Sequence, residues 1–147
     1  MTDVAGASGV EVTVGPSGGL PPWTFATSEQ RILALDYSIE ELVSLRHAAT
    51  AALRIRPVVR HVKTSVIIPT WAYGRLTDSD IEAIDRATLD FASRLRPSEA
   101  EAKLPLIIPQ SFRTLAGRRG RASLPEAVHG AAQALKTRVI VEVTEIN

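Results

Sequence analysis

A chain of 147 residues with 45% hydrophobic side chains is long enough for one domain with its own core and short for two. Its 17 basic and 16 acidic side chains leave a net charge of +1, so neither a nucleic acid nor an anionic membrane would meet a strong overall field. The lack of cysteine excludes disulfides and thiolate chemistry, no apolar run is long enough to span a bilayer, and the first residues lack the basic start and apolar core of a secretory signal, so a cytoplasmic protein without cofactor is expected.

Residues 1–27 read as a flexible tail. Gly6, Gly9, Gly15, Gly18 and Gly19, with Pro16, Pro21 and Pro22, interrupt any period and leave only Val10 to Val14 as a short strand candidate. Trp23 and Phe25 close the tail and are expected to pin it to the domain surface. Residues 28–147 then read as a single α/β domain. Ile32, Leu33 and Leu35 open a helical stretch, Ser38 and Glu41 form a capping box that continues it, and Leu42, Leu45 and Ala49 share a face as far as Leu53. A β run follows in Ile55, Val58 and Val59, where Pro57 suits an edge or a strand start. Ser65 to Ile68 forms a second β run, close enough for antiparallel pairing.

Thr77 caps the next helix, with Asp78 and Asp80 at its positive end and Leu76 placed to staple against Ile81. Ile81, Ile84, Thr88, Phe91, Ala92 and Leu95 give it one buried stripe, and Pro97 lies past its end. Leu104 to Ile108 reads as a buried strand, Phe112 to Ala116 as a short helix and Gly117 to Arg121 as a loop. Ser123-Leu124-Pro125-Glu126 is a capping box for a further helix, whose buried stripe is Leu124, Val128, Ala131 and Leu135. The last strand, Arg138 to Glu145, alternates Val139, Val141 and Val143 on one face with Ile140, Glu142 and Thr144 on the other. Strands alternating with helices predict an α/β architecture: an open, mostly parallel sheet or incomplete barrel with an initial antiparallel hairpin and covering helices.

Several segments resemble one family in order and spacing. Arg56-Pro57-Val58-Val59 is similar to the "QPIV" opening of the EAL domains, the TIM-type barrels of cyclic di-GMP phosphodiesterases. Ile84 to Ala92 is similar to the helix after their first barrel strand, Leu106 to Leu115 to their "VNLSxRxL" segment, and Val141 to Glu145 to their "LEITE" strand. The resemblance covers the N-terminal half of such a barrel, about 90 residues from Arg54 to Glu145. It implies divalent metals held by carboxylates and an asparagine at the C-terminal ends of successive strands, where oxygen ligands suit hard cations and a bridged pair activates water.

The departures carry the functional expectation. The signature glutamate should fall near Pro69 or Thr70, and the asparagine aligns with Pro109, which offers no ligand atom. Only Glu142 matches a metal ligand, with Glu145 as the second acid of that strand, so both stand as vestigial metal candidates with no catalytic residue beside them. The expected function is a noncatalytic EAL-like signalling or regulatory module acting through a protein partner or a homodimer at the open edge of the last strand, with cyclic di-GMP as a residual ligand. The alternative is a structural or oligomerising α/β domain, or a fragment of a longer EAL-like protein.

Other residues give weaker signals. His47, His61 and His129 lack metal-ligand spacing, and Ser111 lacks a nucleophile-elbow context. Arg118, Arg119 and Arg121, with Arg113 one short helix earlier, form a compact basic group whose guanidinium forks suit phosphate. Trp71 and Tyr73 follow the second β run, where covering the sheet end is expected rather than stacking on a base.

Overall fold

A computed structural model of the chain describes residues 23–145. The strand candidate at Val10 to Val14, and nearly all of the tail, fall outside the described residues. Within them, α/β character holds: strands β1 (Thr24–Ala26), β2 (Ile32–Ser44), β3 (Ala49–His61), β4 (Ile67–Ile68), β5 (Leu106–Ser111) and β6 (Val139–Thr144) form one six-stranded sheet, with helices α1 (Asp78–Arg94), α2 (Phe112–Ala116) and α3 (Arg118–Leu135). The order is β1-β2-β3-β5-β6, and β4 joins β3 off this path. The pairs β1–β2, β2–β3 and β3–β4 are antiparallel, and β3–β5 and β5–β6 parallel. The sheet is therefore mixed and open rather than mostly parallel.

The helix expected from Ile32 to Leu53 is replaced by a long hairpin. Leu33, Leu35, Tyr37 and Ile39 alternate with Ala34, Asp36, Ser38 and Glu40, and this two-residue period outweighs the helical spacing of Leu42, Leu45 and Ala49. The supposed capping-box acid, Glu41, instead accepts a cross-strand hydrogen bond from the Thr50 hydroxyl at 2.9 Å. β3 answers with Leu53, Ile55 and Val59 on the same face, buried under α1 and its neighbours.

Pro57 lies inside β3, which has neighbours on both sides, so it is not on an edge strand. Leu53 donates to the Pro105 carbonyl and His61 to that of Val66, so odd-numbered amides of β3 face the side of β5 and β4. Pairing with β5 is at Leu53 and Arg54 and with β4 at Val59 and Arg60. Proline's missing N–H therefore falls in the gap between those two neighbours, where no ladder bond is lost.

α1 forms as its sequence signals require. The Thr77 hydroxyl accepts from the Asp80 amide, and the Asp80 carboxylate accepts from the Thr77 amide. Asp80 also accepts from the Ser28 amide and hydroxyl; burial pulls its pKa upward, but the Thr77 and Ser28 hydrogen bonds hold it below the usual value. Trp23 docks the start of the described chain on this helix. Its indole donates to Asp90 at 3.1 Å, and its ring stands edge-on to Tyr37 and Phe91.

The loop expected over Gly117 to Arg121 is helical instead. Gly117 caps α3, which runs straight through Ser123 and Pro125. A Cβ on Gly120 would lie 1.9 Å from the Thr114 carbonyl oxygen, so the bare glycine lets α3 fold back onto α2 at once. The expected stripe is preserved, with Ala131 and Leu135 buried and Leu124 and Val128 packed against the core.

Candidate functional site

The two faces of the sheet differ sharply. One carries the core under α1 and α3; the other is lined by charge. Arg60 pairs with Asp36, Arg56 with Glu40 at 2.9 Å, and Arg54 with Glu142. The last pair is bidentate, with Nε to Oε2 at 2.9 Å and Nη2 to Oε1 at 2.8 Å. Strand register explains the meeting, because Arg54 lies beside Ile107 of β5 and Glu142 beside Pro109 of the same strand. Arg54, Pro109 and Glu142 thus form one patch on the open face.

A second cluster sits at the C-terminal ends of β5 and β6. Ser111 ends β5 and caps α2, its hydroxyl accepting from the Arg113 amide at 3.1 Å. The same hydroxyl donates to Glu145, and the Ser111 amide donates to Asp85 at 2.9 Å. Glu145 adopts a left-handed backbone just past the end of β6, φ 61°. Asp85 is buried, and that burial pushes its pKa up to about 6; the Thr114 hydroxyl and the Ser111 amide pull it down, while the charge of Glu145 adds to the rise. The Thr114 hydroxyl is near enough to act on that charge but makes no hydrogen bond of ordinary geometry. Tyr73 beside them is pushed up to about 12 by burial, then by Glu145 and Asp85, against the opposing charge of Arg56.

The residues singled out in the sequence are distributed as follows. Glu142 and Glu145 belong to different clusters, the first held by Arg54 and the second by Ser111. Pro69 and Thr70 follow β4, which pairs with β3 alone, whereas the strand beside β5 is β3 itself. The side chain flanking Glu142 from that strand is therefore Arg54, not a residue near Pro69. Arg113 is engaged as a clamp, donating to Asp78 at 2.8 Å and to the carbonyls of Leu76 and Tyr73 at 2.8 and 3.3 Å. Arg118, Arg119 and Arg121 stand exposed in the first turns of α3. His47 is at the hairpin turn, His61 at the end of β3 and His129 on α3 near Gln133. Trp71 is largely exposed, while Tyr73 is buried.

Two site residues were missed by sequence reasoning. Asp85 carried a usable signal: it falls beside Ile84 and between Ile81 and Thr88, on a stripe whose other positions are buried. Arg54 carried none, because its meeting with Glu142 depends on a three-strand register.

This chemistry does not fit a divalent metal pair. Pro109 has no ligand atom, Glu142 is already neutralised by a guanidinium, and among the described residues no three acidic or imidazole groups gather in a way that could hold an ion. What the tip cluster can do is exchange a proton near neutral pH at Asp85. The Ser111 hydroxyl has a carboxylate acceptor but no imidazole beside it. Comparison with protein-family models, with curated proteins and with solved structures gave no match.

Proposed function

We propose that the chain is a noncatalytic regulatory module, an incomplete barrel of the EAL type that acts through protein contacts. The observation that carries this reading is the bidentate Arg54–Glu142 pair. The resemblance assigns Glu142 to a metal, and here a fixed cation of the protein occupies that role. A guanidinium neutralises a carboxylate but cannot polarise water as a divalent ion does.

The partner surface in this reading is the outer edge of β6. Leu106 donates to the Arg138 carbonyl, so even-numbered backbone groups of β6 face β5 and those of Val139, Val141 and Val143 face outward. An outer row of N–H and C=O groups accepts a further strand. The expected result is no turnover of cyclic di-GMP by the purified chain with magnesium or manganese. Calorimetry with the same nucleotide should give no heat at ligand concentrations of about 100 micromolar. Metal-dependent appearance of the linear dinucleotide would overturn the noncatalytic reading.

A second reading, phosphate binding at Arg118, Arg119 and Arg121, is favoured by one observation: the first turn of α3 has no acidic residue to offset these cations. Arg118→Ala with Arg119→Ala should then abolish a salt-sensitive affinity for a phosphate ligand. An affinity unchanged in that variant rejects this reading.

A further inference from the structure

A cleft of about 450 Å3 opens beside Trp23, between the base of the β2–β3 hairpin and the C-terminal end of α1. Ile39, Phe91, Leu95, Leu104 and Leu135 line it with the indole, and its charged members Arg94, Arg96 and Glu101 are exposed. Its depth is therefore apolar, and water there finds few polar partners. An apolar side chain is the occupant it suits.

The chain itself leads into this cleft. β1 pairs antiparallel with β2 from Thr24 opposite Ala34, and the Leu35 amide donates to the Trp23 carbonyl, so the residues before Trp23 head along β2 toward Tyr37 and Ile39. Continued in the same register, position 21 would face Tyr37 as a hydrogen-bonded pair. That position is a proline, with no N–H to give, and position 22 is another. The β1 ladder thus loses its donor one rung beyond Trp23.

We propose that Leu20 fills the cleft as an apolar plug carried by the chain itself. Leu20 and Pro21 each precede a proline, which bars them from the helical region, and both prolines fix φ, so Leu20-Pro21-Pro22 favours a polyproline helix. That helix has three residues per turn and rises about 9 Å in each, which places Leu20 one turn from Trp23 on the same side. The indole already faces the cleft, so Leu20 faces it too. Leu20 is the one large apolar side chain between Val14 and Trp23, and the segment from Gly15 to Pro22 brings no charge to an apolar site. A short, stiff tether also favours the chain's own residue over a rival. Joined to the cleft wall through two prolines, Leu20 acts at an effective concentration of about millimolar or more, with little backbone entropy left to lose. A partner's apolar side chain enters only by displacing it.

The test is methyl NMR on the full chain. The Leu20 methyls should show cross-relaxation to those of Ile39, Leu95 and Leu104, and the contacts should persist within one molecule when labelled and unlabelled chains are mixed. Leu20→Asp should shift the Leu95 and Leu104 methyl signals and lower the melting temperature by about 4 °C or more, because a buried leucine is lost. Ser8→Asp, in the same N-terminal region, should do neither. Leu20 methyls in contact with sequence neighbours alone overturn the proposal. Contacts that arise only between labelled and unlabelled chains do so as well, since a second copy would then hold the cleft. An unchanged melting temperature in Leu20→Asp is the third overturning result.

Discussion

Asp85 occupies a position that helix spacing reserves for an apolar side chain, and its raised pKa records the cost. The folded state holds this proton up to about pH 6, against 3.8 ordinarily. Between those values the native form binds more protons than the unfolded one, so this group's contribution to stability falls as pH rises and levels off above about 6. At ~1.4 kcal/mol per unit the total is on the order of 3 kcal/mol. Asp85→Asn keeps an acceptor for the Ser111 amide and removes the titration, so its melting temperature relative to wild type should climb between about pH 4 and 6. Parallel curves across that range would reject the assignment. Gly120 makes the opposite kind of demand, for space rather than charge. Gly120→Ala drives a Cβ into the Thr114 backbone, which cannot swing aside as a side chain can, and should destabilise by about 2 kcal/mol or more in denaturant titration. An unchanged midpoint would mean that α2 and α3 can separate freely.

Among the elements, α3 departs most from what its own sequence advertises. Pro125 is exposed inside an 18-residue helix, well past the first turn where it would be harmless. Pro125→Ala restores an amide donor to the Arg121 carbonyl and should stabilise the domain by roughly 1–3 kcal/mol, read as a rise in melting temperature. A fall would mean that the proline ring itself makes a contact the domain needs. The start of α3 was illegible because Ser123-Leu124-Pro125-Glu126 mimics a helix start, while the real start depends on Gly120 docking against α2. α1 was fully legible, since its cap, charges and stripe are all local. The hairpin was misread for a physical reason too. Leu42, Leu45 and Ala49 stand at helical intervals only because they straddle the turn, the first near the end of β2, the second in the turn and the third opening β3, and a register shift at Leu42 and Val43 further blurs the alternation there.

At the scale of the molecule, one sheet separates an apolar layer from a charged one. The late strands β5 and β6 and the acids on them could be found in the sequence; the partners of those acids could not, because Arg54 reaches Glu142 across an intervening strand. The pair is about one-third exposed on each side, and breaking it with Glu142→Gln should change stability by no more than about 1 kcal/mol. A much larger loss, measured by denaturant titration, would mark the pair as a structural keystone rather than a neutralised acid. Pro57 has a consequence that belongs to motion. With no donor in the gap between β4 and β5, the strand cannot be zipped to one neighbour along its whole length, and its outward amides report on two separate closures. In hydrogen exchange, Leu53 should open with β5 and the main core, while His61 should open with the two-residue strand β4 and exchange faster. A single proline thereby divides one continuous strand into two units of different lifetime.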